Sequence, residues 1–265
     1  MKRLPRKRTG RSVMIALLVC ACATLLLSVS CSSDKGIFDT QWAPDIAGVR
    51  ASDLLSATQY TSLVVEIQPV EGMQPTQQAI DNLVQFLEAR LNKPAGVQVT
   101  VNTPLPVSGQ SQFSLDQIRQ IEEQSRITRP SGQTMAAYFL FVDGESNLSS
   151  GNSRILGVAY GATSMVIFQT AIQDLSGGIG EPPRDVLEAT VIEHEFGHIL
   201  GLVDNGSPTV DPGHHDGVHG AHCANSNCLM HYSVETGNVV NNLLGGSAPP
   251  LDSDCLNDLA SNGGK

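Results

Sequence analysis

The sequence predicts an α/β domain, with a mixed, twisted sheet covered by helices and followed by an irregular C-terminal subdomain. Three observations support this fold class. Between residues 62 and 169, β-branched or unbroken apolar runs alternate with segments whose apolar residues recur at helical spacing. A further helical pattern begins near Pro183 and leads into the segment richest in chemistry. After Gly201 the regular patterning stops, and the chain contains no internal repeat.

Strands are identified by alternation or by continuous apolar runs, and helices by a period of 3.6 residues between suitable ends. Strands are predicted at residues 62–70, 97–101, 135–142, 155–160 and 164–169. Helices are predicted at residues 75–91, at 114–126 with Ser114 as N-cap, from Pro183 onward, and near 251–259. The run 135–142 is almost unbroken in its apolar character, which favours a strand covered on both faces.

The N-terminus has the pattern of an export signal. Six basic residues precede residue 12, an apolar stretch covers 13–27, and small residues lead to Cys31. An uncleaved transmembrane anchor is the alternative, but the stretch is shorter than the roughly 20 apolar residues that span a membrane. The residues before Cys31 resemble a bacterial lipobox, which implies that Cys31 is lipidated. We therefore expect a signal peptide at 1–30, a lipid-anchored tether at 31–57 and a folded domain at 58–265, exported and facing the periplasm or cell exterior.

Charge and composition limit the classes of partner. The 265 residues carry a formal charge of -10, and 41% of them are hydrophobic, which argues against a disordered chain. Because no acidic residue precedes Asp34, residues 31–265 carry a net charge of -16. Such an acidic body repels a phosphate backbone, so we expect no nucleic-acid partner.

The cysteines fit an exported protein. Cys20 and Cys22 lie in the apolar stretch that export would remove, which leaves Cys223, Cys228 and Cys255 for the domain. An oxidising compartment favours one disulfide with one thiol left over. The sequence does not decide which two pair, although joining Cys223 to Cys228 needs the least chain closure.

The distinctive chemistry is the run His194-Glu195-Phe196-Gly197-His198 at the end of the last long helix. Residues i and i+4 share a helix face, so His194 and His198 can bind one Zn²⁺. Glu195 can act as general base towards a water at that metal. A pair of surface histidines beside an ordinary helical Glu is the competing interpretation.

The residues that follow extend this motif and carry a family resemblance. Reading from His194, the chain continues through Gly201 to Asp204, and Met230 and Tyr232 follow in an irregular segment. This resembles the metzincin clan of zinc metalloproteases, which implies a zincin-like α+β fold. Asp204 occupies the position of the third ligand, as in snapalysin-like enzymes. The resemblance also implies that Met230 forms the Met-turn beneath the metal, and that Tyr232 contacts the zinc or the transition state.

A second ligand candidate comes from the archaemetzincin-like order His222-Cys223, four residues, then Cys228-Leu229-Met230. By register with the Met-turn, His222 would be the third ligand, whereas by spacing from the helix it would be Asp204. We favour Asp204, because placing it costs little loop ordering, while His222 must be brought back by a long Gly-rich loop. The other histidines of that loop either bind a second metal or form a polar surface; they are His214, His215 and His219.

The sequence therefore predicts a monomeric zinc endopeptidase that hydrolyses protein or peptide substrates, with Glu195 as base and Tyr232 assisting. By resemblance, the substrate lies along an edge strand, either residues 155–160 or 164–169. The alternative is a non-catalytic metal- or peptide-binding lipoprotein on the same fold. Glu195 separates the two, since a pure binding site does not need it.

Overall fold

A computed structural model describes residues 46–150, 153–236, 243 and 246–265. The predicted signal peptide, Cys31 and the tether up to residue 45 lie outside the described residues. Within those that are described, no helix is long and apolar enough to cross a membrane.

The elements follow one another in an order close to the predicted one. The strands are β1 (Ser62–Pro69), β2 (Val97–Val101), β3 (Gln112–Phe113), β4 (Thr134–Val142), β5 (Glu145–Ser146), β6 (Gly157–Gly161) and β7 (Ser164–Phe168). The α-helices are α1 (Ala51–Leu55), α2 (Gln77–Arg90), α3 (Leu115–Ser125), α4 (Gln169–Asp174), α5 (Arg184–Ile199) and α6 (Ser253–Ser261). Short 3₁₀ helices occur at Pro212–His214 and Tyr232–Glu235.

The main sheet is mixed, and its five strands have the order β2-β1-β4-β7-β6. β1 pairs in parallel with both β2 and β4, and β4 pairs in parallel with β7. β6 is antiparallel to β7 and forms one edge of the sheet. This arrangement confirms the predicted α/β fold class with a mixed sheet. It also decides which of the two candidate strands has a free edge, because β7 lies between β4 and β6.

The core is centred on β4. Every residue from Met135 to Val142 has a relative exposure of 0%. A parallel strand with neighbours on both sides, covered on both faces, accounts for the unbroken apolar run in its sequence. Helix α2 packs against α5 and so supports the helix that carries the histidine motif.

Local sequence determines where the helices start and end. Thr76 caps α2 by accepting from the Ala79 N–H, and Ser114 forms a capping box with Gln117 at the start of α3. Helix α5 follows Pro183 and stops before Gly201, whose φ is +78°. A Cβ at Gly201 would overlap the backbone nitrogen of Ser207, so this left-handed turn requires glycine.

The end of the predicted tether is folded. Residues 46–57 contain α1, whose Ala51, Leu54 and Leu55 are buried in the hydrophobic core. Lys93 anchors this region, since its Nζ donates to the backbone oxygens of Asp53 and Tyr60 at 2.7 Å each. Residues 46–57 of the predicted tether thus pack with the domain, because this short helix has an apolar face to bury.

The described part of the chain after residue 201 is mostly irregular, as predicted. Its one α-helix, α6, lies close to the predicted residues 251–259 and is capped by Asp252, which accepts from the Cys255 N–H.

Candidate metal centre and active site

Helix α5 brings His194 and His198 together. Their Nε2 atoms lie 3.1 Å apart, and their exposures are 0% and 6%. One turn of helix separates the two residues, so both rings extend from the same face. The structure thus brings the two rings together, and their role as metal ligands stays a prediction.

Two further groups from the irregular segment complete a cluster. His222 lies with its ring 5.4 Å from that of His194 and 5.0 Å from that of His198, between centroids. Glu235, on the 3₁₀ helix Tyr232–Glu235, places Oε1 3.0 Å from His198 Nε2, 3.1 Å from His222 Nε2 and 3.7 Å from His194 Nε2. One ligand atom from each of the four residues lies within 4.8 Å of every other, so this cluster can hold a metal ion. We call it the α5 cluster.

Asp204 lies outside the α5 cluster, so the structure does not bring the residue favoured from sequence together with the other candidate ligands. Asp204 is exposed, and its φ of +59° follows a φ of +56° at Val203. The expectation for Asp204 rested on its spacing from the helix, and that spacing does not show that Val203 and Asp204 have left-handed backbone conformations.

The cost of closing the loop before His222 is offset by hydrogen bonds. Cys223 N–H donates to the Met230 oxygen at 2.8 Å, and Asp216 N–H donates to the His222 oxygen at 2.8 Å. His214 pairs with the buried Asp258 of α6 at 3.0 Å. The loop is therefore held at both its middle and its end, and His222 is positioned beside the Met-turn.

The ring tautomers leave lone pairs directed into the α5 cluster. His194 Nδ1 lies 2.7 Å from the Leu229 carbonyl oxygen, and His222 Nδ1 lies 2.7 Å from that of His219. A carbonyl oxygen only accepts, so Nδ1 carries the proton and Nε2 of the neutral ring bears a lone pair. Among the described residues the buried His222 Nε2 has no hydrogen-bond partner, although the Glu235 carboxylate is near. Lone pairs and a carboxylate that converge in this way repel one another unless a cation lies between them, so the donor set fits a metal.

Burial and neighbouring charges shift the ionisation of the cluster. Burial lowers the pKa of His198 to about 4, so this imidazole is neutral at physiological pH. Burial alone would raise the pKa of Glu235, but the three surrounding imidazoles outweigh it and hold that pKa below its usual range. His198 therefore offers a neutral imidazole and Glu235 a carboxylate, which are forms that bind a metal. At His222 the Glu235 carboxylate outweighs burial and raises the pKa above its usual value.

Glu195 lies next to His194 on α5 and is completely buried. Neither of its carboxylate oxygens has a hydrogen-bond partner in the described part of the chain. It is packed against Gly157 of β6, where an added Cβ would come within 2.6 Å of Glu195 Oε1. Burial, and then the charge of Glu235, raise the pKa of Glu195 well above its usual range. A buried carboxylate without partners is unusual, which makes Glu195 a candidate functional group.

The segment around Met230 lies directly beneath the α5 cluster. Met230 is fully buried, and a Cβ at Gly197 would overlap its Sδ, so the two residues are in close contact. The preceding Leu229 supplies the carbonyl that orients His194. Met230 therefore lies close to the α5 cluster, and its role as the floor beneath a metal stays a prediction.

Tyr232 is not one of the four groups of the α5 cluster. Its ring stacks on that of His219 with centroids 3.7 Å apart and planes at 7°. His219 Nδ1 lies 2.6 Å from Asp216 Oδ2, which fixes the orientation of the stack. In this conformation the ring is paired with the loop, and its expected contact with the reacting groups stays a prediction.

A pocket of about 390 Å³ opens beside the α5 cluster. Val158 and Ala159 of the edge strand β6 line one side, and His198, His222 and Glu235 line another. The pocket therefore connects the free edge of the sheet to the four converging groups.

A second cluster lies farther along the irregular segment. His214, Cys223, Asp252 and Cys255 place ligand atoms within 4.8 Å of one another, and this set can also hold a metal ion. We call it the α6 cluster. Of the three loop histidines considered from the sequence for a second metal, only His214 belongs to it; His215 and His219 are absent from both clusters.

The expected disulfide is not formed in the structure. Cys223, Cys228 and Cys255 are all free thiols and all buried. Cys228 Sγ lies 3.6 Å from Cys255 Sγ, so proximity favours a pair different from the one that chain closure suggested.

Sequence reasoning missed Glu235. It follows the Met-turn in a segment without periodicity, and 40 residues separate it from Glu195 along the chain. The only indication in the sequence is an acidic residue a few positions after Met230, which is too common a feature to predict a ligand.

Comparison with known proteins gives distant similarities only. No protein-family model matches the chain, and no curated protein matches it. Among solved structures, archaemetzincin from Methanopyrus kandleri has a TM-score of 0.49 and 15% identity, over 76% of this chain and 96% of its own. Metalloproteinase-II from Bacteroides fragilis has a TM-score of 0.42 and 15% identity, over 78% of this chain and 55% of its own. Function is therefore inferred from the site itself.

Proposed function

We propose that this protein is a zinc-dependent endopeptidase with Glu195 as general base. The observation that carries the proposal is the buried Glu195 carboxylate, which has no hydrogen-bond partner among the described residues and adjoins a metal-capable cluster. A binding protein gains nothing from burying an unpartnered carboxylate, because the burial costs stability. A hydrolase needs a base in this position.

The ligands suit zinc. His194, His198 and His222 supply three imidazole nitrogens, and we propose His222 as the third ligand in place of Asp204. Three protein nitrogens are a common ligand set of catalytic zinc, and imidazole favours zinc over Mg²⁺ or Ca²⁺. When bound, zinc would lower the pKa of a water molecule and polarise the scissile carbonyl.

Glu195 would take the proton of the attacking water and transfer it to the leaving amine. A base works best when its pKa lies near the working pH, and burial moves the pKa of Glu195 upward in that direction. Its packing against Gly157 of β6 holds the carboxylate between the helix and the edge strand. The proton acceptor would thus lie between the metal and the strand that we assign to the substrate.

The substrate would be an extended peptide bound along β6. This strand is one free edge of the sheet, and its Val158 and Ala159 line the pocket beside the α5 cluster. An edge strand offers main-chain donors and acceptors to an added strand, which suits any peptide sequence. The arrangement favours cleavage within a chain, because neither end of the substrate is needed for binding.

For the setting of the enzyme we propose export, lipidation of Cys31 and action as a monomer at the membrane surface. The support is the basic and apolar pattern of residues 1–30 and the small residues before Cys31. The net charge of -16 over residues 31–265 argues against nucleic acid as a partner.

One observation favours the alternative of a non-catalytic metal-binding protein. Glu235 adds a fourth group to the three histidines, and sites with four protein ligands are typical of structural zinc. Assays must therefore include Glu235→Ala, which removes that carboxylate from the α5 cluster.

The test is hydrolysis of casein or a peptide library by zinc-loaded protein, with and without a chelator. We expect cleavage that the chelator abolishes. Glu195→Gln should retain zinc while losing activity by about 10²–10⁴-fold, the usual contribution of a general acid or base. Glu123→Gln is the matched control, since it makes the same change on the exposed side of α3 and should retain activity.

Absence of cleavage by both the zinc-loaded wild-type protein and Glu235→Ala would overturn the enzyme proposal. Chelator-insensitive cleavage would contradict the role of the metal.

A further inference from the structure

Glu235 provides the fourth group of the α5 cluster, whereas a catalytic zinc site has three protein ligands and an open fourth position. Its Oε1 lies 3.0, 3.1 and 3.7 Å from the Nε2 atoms of His198, His222 and His194. The Nε2 atoms of His194 and His198 are themselves 3.1 Å apart. The distances from the carboxylate oxygen to His198 and His222 are thus close to the distance between the two α5 imidazoles, and the distance to His194 is longer.

These spacings bracket those of a tetrahedral zinc site. Zinc binds imidazole nitrogen at about 2.0–2.1 Å and carboxylate oxygen at about 2.0–2.2 Å, so neighbouring ligand atoms of a tetrahedron lie roughly 3.3–3.5 Å apart. The observed separations between Glu235 and the histidines fall on both sides of this value. Among the described residues His222 Nε2 forms no hydrogen bond, which also agrees with a lone pair directed at a metal.

We propose that Glu235 is a fourth protein ligand of the metal and that the structure represents a closed, latent state. This inference rests on the proposed function for the presence of a metal at the α5 cluster. Catalytic zinc keeps one position for water or substrate, whereas a fourth protein ligand fills it. Glu235 must leave the cluster before a water can be activated beside Glu195.

Glu235 is the ligand best suited to leave. Its side chain is 29% exposed, against 0%, 7% and 8% for the side chains of His194, His198 and His222. Helix α5 fixes two of the histidines, and a carbonyl holds the third through Nδ1. By contrast, Glu235 lies at the end of a 3₁₀ helix of four residues.

The segment that carries Glu235 is attached to the strand proposed for the substrate. The Leu156 N–H donates to the backbone carbonyl oxygen of Glu235 at 2.8 Å. Thr236 forms an antiparallel bridge with Ile155, just before β6. Glu235 also lines the same pocket as Val158 and Ala159. A peptide that pairs with β6 therefore enters the space beside Glu235, which couples substrate binding to release of the carboxylate.

The experiment compares wild-type protein, Glu235→Ala and the control Glu71→Ala, which makes the same change at an exposed residue outside both clusters. Zinc affinity is measured by competition with a chromophoric chelator. Loss of a residue that only orients a ligand costs 10–100-fold, so loss of a direct ligand should cost at least the upper end of that range. Glu71→Ala should bind zinc as the wild type does.

Access to the open position is measured separately with acetohydroxamate, a small anionic chelating ligand, on Co²⁺-substituted protein by visible absorption. We expect Glu235→Ala to bind acetohydroxamate at least tenfold more tightly than the wild type and Glu71→Ala. Circular dichroism and thermal unfolding check that the variant is folded, and Glu235→Gln, which keeps the shape of the side chain, should change both affinities in the same direction.

Unchanged zinc affinity, or unchanged acetohydroxamate affinity, in a folded Glu235→Ala would overturn the proposal. Peptide hydrolysis by the same samples separates the two ideas. Weaker zinc binding with tighter acetohydroxamate binding supports the closed site whether or not peptides are cleaved, whereas lack of cleavage in every sample counts against the peptidase alone.

Discussion

At the scale of single residues, His222 and Asp204 give opposite expectations for the metal. His222 lies in the α5 cluster with an unpartnered Nε2, and Asp204 is exposed in a left-handed turn. We expect His222→Asn to lose most of its zinc affinity and activity. Asp204→Asn should retain both, since Asn tolerates the same backbone. Zinc stoichiometry by elemental analysis after dialysis, together with turnover, is the measurement.

The opposite result would contradict this assignment. If Asp204→Asn lost its tightly bound zinc while His222→Asn kept it, the metal would lie in the turn after α5 and not in the α5 cluster. The three spacings to Glu235 would then have no role in metal binding.

The site residues differ in how far sequence could identify them. His194, Glu195 and His198 are contiguous on one helix, so their spacing alone determines that they share a site. His222 requires the path of a loop whose closure depends on the His214–Asp258 pair, and no local pattern shows that pair. Glu235 requires the fold of the segment after the Met-turn, so it could not be predicted.

At the scale of elements, a buried polar network joins α3 to the edge strand β6. Tyr160 of β6 donates its hydroxyl to Glu122 Oε2 at 2.7 Å, and Arg126 Nη1 binds Glu122 Oε1 at 2.7 Å. Ser164 of β7 donates to the same carboxylate at 2.7 Å. Because each group has a hydrogen-bond partner, burying the network costs little free energy. The network also fixes the position of β6 relative to α3.

This network predicts a dependence of stability on alkaline pH. Burial, and then the charge of Glu122, raise the pKa of Tyr160 well above its usual value near 10. Above about pH 10 the unfolded chain loses the tyrosine proton while the folded chain keeps it, so the free energy of unfolding falls as pH rises. The contribution of one such group is about 1.4 kcal/mol per pH unit.

In Tyr160→Phe the free energy of unfolding should therefore fall less steeply with pH, by about 1.4 kcal/mol per pH unit. At neutral pH the variant should be less stable by roughly 1–3 kcal/mol, because the Glu122 oxygen loses its hydrogen-bond partner. Urea unfolding from pH 9 to 11.5 measures both effects. An unchanged slope in the variant would mean that Tyr160 ionises as easily in the folded protein as in the unfolded chain.

Elements with strong periodicity were predictable, and those defined by long-range contacts were not. The predicted strand 97–101 coincides with β2, and β4 begins one residue before its prediction, since unbroken or alternating apolar runs define them locally. By contrast, α1 and α4 have only five and six residues. The two-residue strands β3 and β5 exist only because they pair with each other. Such short elements carry too few residues to show a period.

At the scale of the whole molecule, the C-terminal helix holds together distant parts of the irregular segment. Asp258 of α6 accepts from the Val210 N–H at 2.7 Å and pairs with His214, and Asp252 accepts from Cys223 Sγ at 3.1 Å. Cys223 adjoins His222 of the α5 cluster. The α6 cluster thus stabilises the loop that places His222 in the α5 cluster.

The last prediction separates a metal from a disulfide at the α6 cluster. Two clusters with suitable ligand atoms predict two metal ions in the reduced protein, one at each. His214→Ala should reduce the count to one and weaken the remaining zinc by about 10–100-fold, because the loop behind His222 loses its support. His215→Ala is the matched control, since His215 lies in the same loop but in neither cluster, and it should keep two. Elemental analysis gives the counts, and mass mapping without reductant detects any bridge. The opposite outcome is a single metal in the wild-type protein together with linked peptides from Cys228 and Cys255. It would show that these two thiols, whose sulfurs lie 3.6 Å apart, form a disulfide.

Cys255 would then have no thiolate to offer a metal, and the covalent bond itself would hold α6 to the segment around Met230.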